Sequence, residues 1–188
     1  MSVGKCLSRL LLCVTFACII LTPAGARVWK ATPDAIARDY AMIQDVRGKG
    51  DLVILIWFVP ALVPPSTNGA AAAAAALDKY VVIAVVHAHQ DQVIGMMSFE
   101  EINTLEARDR NGNPLTLVPK ESLPPILVGM MAAMEMSFRQ SLGAMGKGMK
   151  LFLFDAGAVH SCTKGGLTVP FASETYTWDT PIPGCPHA

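Results

Sequence analysis

The methionines are the residues of this chain with the least ordinary chemistry. Eight of the ten lie between positions 96 and 149, and His87 and His89 precede them, two positions apart. Thioethers suit Cu(I) and imidazoles suit Cu(II), so Met130, Met134, His87 and His89 are candidate copper ligands. Methionine also fills irregular cores and lines adaptable contact surfaces, and both interpretations stay open beside the metal site.

The cysteine positions predict one disulfide. Three of the five cysteines lie in the first 26 residues, and the other two are Cys162 and Cys185. If the first 26 residues are removed on export, an even pair remains in an oxidising compartment, which favours a disulfide. This bridge would close a loop of about 24 residues and stabilise the fold by about 3 kcal/mol. Metal ligation by the pair is the alternative, but no Cys-x-x-Cys motif or paired histidine supports it.

The short motifs that name a reaction are missing from this sequence. It contains no G-x-S-x-G or H-E-x-x-H pattern, no P-loop, and no G-x-G-x-x-G after a strand. Polar residues near predicted strand ends, namely Asp155, His160, Glu174 and Asp179, are the candidates for a dispersed hydrolytic or redox site. His160 adjoins Ser161, but neighbouring residues of a strand point to opposite faces and do not form a nucleophile and its base.

The N-terminus predicts a removable signal peptide. Lys5 and Arg9 give a positive start, residues 10–21 are almost wholly apolar, and residues 24–26 are the small residues that a signal peptidase reads. This three-part order is typical of a secretion signal. A retained membrane anchor is one alternative, but a bilayer-spanning helix needs about 20 apolar residues, more than this run provides. Lipid attachment at Cys18, inside the run, is the other alternative.

Removal of residues 1–26 leaves one exported β-rich domain, residues 27–188. The removed part holds two of the 15 Lys and Arg residues and none of the 15 acidic residues, so the remainder has a formal charge of −2. This balance leaves no basic stripe to attract nucleic acid. No transmembrane segment is expected after signal cleavage, and we expect a periplasmic or secreted location.

Short runs of β-branched and aromatic residues predict a strand-rich domain. Residues 52–59 show no alternation, which indicates a strand covered on both faces. The Asn111-Gly112 turn predicts a hairpin between a third strand region, residues 96–107, and residues 115–118. The remaining predicted strands are residues 79–89, 149–154, 158–162, 167–171 and 174–178.

Two segments predict helices. Thr32 is a good N-cap before Pro33, and the apolar spacing that follows extends a first helix towards Gly48. The Met-rich residues 126–142 repeat apolar side chains at helical spacing and predict the second helix. The alanine run 70–76 is either a short helix, since alanine is the best helix former, or a loop insertion.

Many short strands, frequent turns and a closing disulfide indicate a mainly β fold. We predict an antiparallel β-sandwich, loosely immunoglobulin-like, with one or two short helices. An α+β fold with a single antiparallel sheet is the alternative. The glycine-rich residues 143–148 lack the Lys-Ser/Thr ending of a phosphate-binding loop, so we predict that they form a flexible connection.

Aromatic and methionine side chains supply the candidate partner surface. Tyr176 and Trp178 lie beside a Pro-rich tail, where such residues either serve binding or cover a small core next to a disulfide. Together with Met130, Met131 and Met134 they are the residues most suited to contact a protein partner.

Because no motif names a reaction, we expect an exported, non-enzymatic binding or accessory domain that needs no cofactor. Its partner would be another periplasmic protein. Periplasmic copper handling through the Met-rich segment is one alternative, and a hydrolytic or redox enzyme with a dispersed site is the other.

Overall fold

Residues 32–46, 50–63, 68–91 and 93–185 are described by a computed structural model. They form two antiparallel sheets and a layer of helices. The elements in chain order are α1 (Pro33–Asp39), β1 (Ala41–Asp45), β2 (Asp51–Phe58), α2 (Ala70–Lys79), β3 (Tyr80–Gln90), β4 (Met97–Phe99), β5 (Arg108–Asp109), α3 (Pro125–Ser141), α4 (Ala144–Gly148), β6 (Lys150–Asp155), β7 (Gly165–Phe171) and β8 (Glu174–Thr180). The predicted signal peptide lies outside the described residues, so its removal stays a prediction.

The first sheet is built around the long strand β3. One edge of β3 pairs with β2, which in turn pairs with β1. The other edge pairs first with β6, opposite Tyr80–Val85, and then with β4, opposite Ala88–Gln90. All of these pairings are antiparallel. The central position of β3 explains why every residue from Val81 to Ala88 is buried.

The second sheet, with strand order β5–β7–β8, packs on one face of the first sheet. Trp57 of β2 and Trp178 of β8 meet edge to face between the sheets, with ring centroids 6.2 Å apart. Leu55, Ile83 and Phe154 belong to the same core. The prediction of a mainly β chain with antiparallel sheets and short helices is therefore confirmed.

Helices cover the opposite face of the first sheet. Leu77 of α2 and both Leu127 and Met131 of α3 are buried against Val82 and Leu153. Coverage on both faces explains why the apolar run of β2 is unbroken. One set of its side chains faces the second sheet, and the other set faces the helices. The alanine run forms α2, which decides between the helix and the loop insertion. None of the described helices is long and apolar enough to cross a membrane.

The first helix has its predicted cap but is shorter than predicted. The Thr32 side chain accepts a hydrogen bond from the Ala35 amide at 3.3 Å, and α1 ends at Asp39 rather than near Gly48. Tyr40, which follows the helix, is fully buried. The next five residues form β1 because their backbone groups pair in continuous register with β2.

Two of the predicted strands and the predicted hairpin differ from the structure. Of residues 96–107 only β4 pairs, and residues 158–162 contribute no strand. The Asn111-Gly112 turn forms, with Gly112 at φ +85°. Its two arms share a single bridge, from Arg108 to Pro114, and Leu117 of the return arm bridges to β6 instead. The strand that pairs with β5 is β7, which comes much later in the chain. Local turn chemistry therefore predicted the turn correctly but not the strand pairing.

Glycine-rich residues 143–148 are not a flexible connection, since most of them form α4. A Cβ atom on Gly146 would lie 1.9 Å from the Phe138 carbonyl oxygen. One on Gly148 would lie 2.2 Å from the Phe99 ring. These glycines therefore let α4 pack closely against α3 and β4, a role that the sequence pattern did not distinguish from flexibility.

The C-terminal tail is fixed to the segment that precedes β7. Cys162 and Cys185 form the predicted disulfide, with Cα atoms 5.3 Å apart. The Ile182 amide donates a hydrogen bond to the Ser161 carbonyl at 2.9 Å, and the Ile182 side chain is 2% exposed. The tail thus closes one end of the core between the two sheets.

Candidate functional site

A histidine and two carboxylates meet near the C-terminal end of β3. His87 is 3% exposed, and its Nε2 atom lies 2.5 Å from Oδ1 of Asp51, which is 2% exposed. The Nδ1 atom of His87 lies 2.8 Å from Oε2 of Glu100, the residue after β4. The Glu100 side chain is 55% exposed, so the three residues reach from the core to solvent. We call them the His87 cluster.

The two contacts of His87 differ in kind. The Nε2 atom shares a hydrogen bond with Oδ1 of Asp51, and this contact is buried at both ends. The Nδ1 atom lies within ion-pair distance of Oε2 of Glu100, whose side chain reaches solvent. An ionised carboxylate only accepts, so an ionised Asp51 requires the proton of this hydrogen bond to sit on Nε2.

Strand pairing brings the His87 cluster together. Asp51 lies opposite His89 in the register of β2 and β3, which makes its contact with His87 a diagonal one. On the other edge of β3, the Glu100 amide donates to the His87 carbonyl at 2.9 Å. One carboxylate thus comes from β2 and the other from the residue that follows β4, and the imidazole of the central strand lies between them.

An open groove lies over the His87 cluster. Its first part has a volume of about 360 Å³ and is lined by His87, Glu100 and Glu101. Its second part, of about 640 Å³, continues to Glu106 and Glu174. Both parts share the lining residues Thr104, Phe171, Ala172 and Ser173. Since no Lys or Arg is among the described residues that line it, we call it the acidic groove.

The turn between β7 and β8 forms one wall of the acidic groove and is strained. Ala172 and Ser173 have φ values of 50° and 67°, in the left-handed region. Two-residue hairpin turns of this kind favour Asn-Gly, because other residues cost about 1–2 kcal/mol each there. Phe171, just before the turn, packs edge-on against His87 with ring centroids 5.8 Å apart. Such strain is concentrated at functional sites, and here it lies beside the His87 cluster.

The candidate copper ligands do not come together. Both ring nitrogens of His87 are engaged by carboxylates, and His89 is exposed. Met130 and Met134 pack on the helical side of the first sheet, whereas His87 faces Phe171 on the other side. Among the described residues, no group of His, Cys, Asp or Glu side chains has the arrangement of a metal site. The four residues therefore do not form one copper site.

Tyr176 and Trp178 are core residues, which corrects their place in the candidate partner surface. Their side chains are 4% and 2% exposed. Both belong to the core between the sheets, where the Trp178 Nε1 atom donates to the Tyr40 carbonyl at 3.1 Å. Burial, together with the charge of Glu174, raises the pKa of the Tyr176 hydroxyl. The core interpretation of this aromatic pair is the one that the structure supports.

Met130, Met131 and Met134 pack inward from α3. Met131 is 5% exposed, and the other two are half-buried against the apolar residues of the first sheet. They therefore act mainly as core residues rather than as a partner surface. Other residues of α3 have its most exposed apolar side chains.

The polar residues predicted for a dispersed catalytic site stay apart. Asp155, His160, Glu174 and Asp179 are all exposed, and within the described ranges no hydrogen bond or ion pair joins any two of them. Glu174 and Asp179 stand near opposite ends of β8, about 16 Å apart for an extended strand. Of the four, Glu174 is the one that lines the acidic groove.

Sequence reasoning missed Asp51 and Glu100. A signal for them existed, because His87 interrupts the apolar run of β3 and a buried polar side chain needs a partner. The alternation of His87 and His89 favoured a metal pair instead. Connecting His87 to the two carboxylates requires the pairing of β3 with both β2 and β4, which the sequence does not specify.

Comparison with known proteins adds no relative to this description. No protein-family model matches the chain, and searches of curated proteins and of solved structures gave no match. The candidate site is therefore interpreted from its own geometry and chemistry.

Proposed function

We propose that this chain is an exported, periplasmic, non-enzymatic binding domain whose acidic groove holds a cationic ligand. The observation that carries the proposal is the charge of the groove, which has four glutamates and no Lys or Arg among its described lining residues. Opposite charge is the main attraction that such a groove offers a ligand. Export is inferred from the signal-like N-terminal sequence.

Two of the four glutamates keep their charge available for a ligand. Glu100 contacts His87, and Glu106 contacts Arg108 at 3.2 Å. Glu101 and Glu174 are exposed and have no ion pair within the described part of the chain. These two side chains therefore dominate the attraction for a cation.

The shape of the acidic groove suits an extended ligand. Its two parts follow one another along the β7–β8 turn, whereas a small-molecule pocket encloses most of its ligand. Phe171 adds a half-buried aromatic face on which an arginine or lysine side chain can stack. The ligand class is thus a basic, extended peptide segment, which agrees with a protein partner.

The His87 cluster favours binding over catalysis. A general base needs a nitrogen within reach of the proton that it removes. Both nitrogens of His87 are engaged, and the ring is almost fully buried. Asp51 therefore orients the ring, and the ring in turn holds the Glu100 carboxylate at the floor of the groove.

Calorimetric titration with an arginine-rich and a glutamate-rich peptide of equal length tests the proposal. We expect the basic peptide alone to bind, and to bind more weakly at high salt, because salt screens exposed charges. E101Q and E174Q should each weaken binding by about threefold to fivefold, as expected for exposed ion pairs. E121Q changes an exposed glutamate outside the groove and is the matched control.

Unchanged affinity in the E101Q/E174Q double variant would show that the groove is not the binding site. Turnover of a substrate by the wild type that is lost in H87Q would favour the enzyme alternative instead. The export part of the proposal has a separate test in the intact mass of the mature protein. That mass should match cleavage after residue 26, and a mass that includes residues 1–26 would contradict it.

A further inference from the structure

Helix α3 is apolar on both of its sides. Its inner side is buried against the first sheet. Its outer side carries four exposed apolar residues at the spacing of one helical face, Ile126, Gly129, Ala133 and Met136, which we call the outer stripe. Ile126 is 52% exposed and Met136 is 59% exposed. A helix that is apolar on both sides is ordinarily covered on both sides, and the part of the chain that the structure describes leaves the outer stripe exposed.

The surroundings of the outer stripe are apolar as well. From Leu123 to Met134 the sequence contains no charged or hydrogen-bonding side chain. Val128, beside the stripe, is 49% exposed. Contiguous exposed apolar surface of this kind marks an interaction site.

Gly129 gives an independent reason to expect close contact on the outer stripe. Glycine inside a helix costs about 1 kcal/mol relative to alanine. A Cβ atom on Gly129 would meet no atom within 4 Å, so packing inside this chain does not require glycine there. Gly146 and Gly148 of α4, by contrast, are required by their neighbours. Gly129 therefore leaves room on the outer stripe for a second backbone to approach from outside.

The order of side-chain sizes along the outer stripe is symmetric about position 131. The large residues Ile126 and Met136 end the stripe, and the small residues Gly129 and Ala133 lie between them. Two antiparallel copies centred on this position place each large residue opposite the other large one, and each small residue opposite the other small one. A twofold interface uses the same patch twice and needs this kind of self-complementarity.

We propose that α3 is the interface of a homodimer in which the outer stripes of two copies pack antiparallel. A second copy fits because the stripe complements itself in size and carries no charge that would repel its own copy. The small central residues allow the helix backbones to approach closely. The acidic groove lies on the other side of the first sheet, so each copy keeps its groove open.

Sedimentation equilibrium over a range of concentrations tests the homodimer. We expect the wild type to have twice the mass of one chain, and A133E to have the mass of one chain because it buries a charge in each copy. Residue 133 is exposed in the single chain, so A133E should keep the circular dichroism spectrum of the wild type. A75E changes an exposed alanine of α2 in the same way, outside the stripe, and should remain dimeric.

The double variant I126K/M136E tests the antiparallel order, because positions 126 and 136 face each other twice across the proposed interface and both are exposed in the single chain. M136E alone should dissociate the dimer, and I126K/M136E should restore a dimer that dissociates as salt rises. A monomeric wild type at all concentrations would overturn the proposal, as would a dimer that survives A133E. A monomer that floats with phosphatidylcholine vesicles would assign the stripe to a lipid surface and would also overturn it. If M136E dissociates the dimer and I126K/M136E does not restore it, the antiparallel order is wrong.

Discussion

Replacement of His87 by leucine is the sharpest test of the His87 cluster. Leucine fills most of the imidazole volume and makes no hydrogen bond, so H87L removes the shared centre from both carboxylates. Asp51 is 2% exposed, and a leucine of similar volume at position 87 keeps its carboxyl group covered. Removing one partner of a buried hydrogen bond to a carboxyl group costs about 3 kcal/mol, because the other group remains buried. The loss is large against a total stability of about 5–15 kcal/mol for a domain.

The two contacts of His87 should contribute very different amounts to the free energy of unfolding. The contact with Asp51 is buried at both ends, whereas the Glu100 side chain is 55% exposed. We therefore expect E100Q to cost at most about 1 kcal/mol, as for a solvent-exposed ion pair. A double-mutant cycle of D51N and H87L should give a coupling energy of about 2–3 kcal/mol, at the upper end for residues in contact.

Urea unfolding followed by tryptophan fluorescence measures each of these quantities. H89L is the matched control, because it makes the same change at an exposed position two residues along the same strand. It should change the free energy of unfolding by no more than about 0.5 kcal/mol. The reasoning is refuted if H87L is no more costly than H89L, or if the coupling of His87 to Asp51 is no larger than its coupling to Glu100.

Two further predictions concern the residues around the C-terminal tail. The C162S/C185S variant frees a loop of about 24 residues in the unfolded chain and should lose about 3 kcal/mol. In scanning calorimetry this corresponds to a Tm about 6–12 °C lower, and an unchanged Tm would contradict it. Burial, with the charge of Asp39, raises the pKa of Tyr40 to about 12, and its neutral hydroxyl donates to the Pro183 carbonyl. This stabilisation is complete below the unfolded pKa of about 10 and is lost as the pH rises through the folded pKa. Y40F lacks the hydroxyl, so in urea titrations its free energy of unfolding should fall less steeply at alkaline pH than that of the wild type. An equally steep fall would exclude this role of Tyr40.

The strands that the sequence predicts well are those specified by local composition. The predicted strands 52–59 and 79–89 correspond to β2 and β3 within one residue at each end. β-Branched runs between turn residues leave few alternatives to an extended chain. By contrast, Ala41–Asp45 continues a helical pattern and becomes β1 because β2 lies beside it. Whether an edge strand forms therefore depends on its pairing with another strand, and the residues of the edge strand alone do not predict it.

The same limit applies to the candidate site. The alternation along β8 already puts Tyr176 and Trp178 on one face, but which face is the core depends on how the two sheets pack. His87 is recognisable as a polar residue inside an apolar run, yet its partners become evident only with the strand order. The sequence therefore shows which residues have unusual chemistry, but it does not predict which of them lie together in the fold.

The first sheet separates the two surfaces that we propose as binding surfaces. The His87 cluster and the acidic groove lie on the side of the second sheet, and the outer stripe of α3 lies on the helical side. The proposed dimer through α3 would therefore carry two grooves turned away from its interface. A peptide with one basic segment should bind A133E as tightly as the wild type, because residue 133 is remote from the groove. A ligand with two basic segments long enough to span both grooves should gain affinity only in the dimer, through its higher effective concentration at the second groove. Equal affinity of the bridging ligand for the wild type and A133E would show that the two grooves act independently, whatever the oligomeric state.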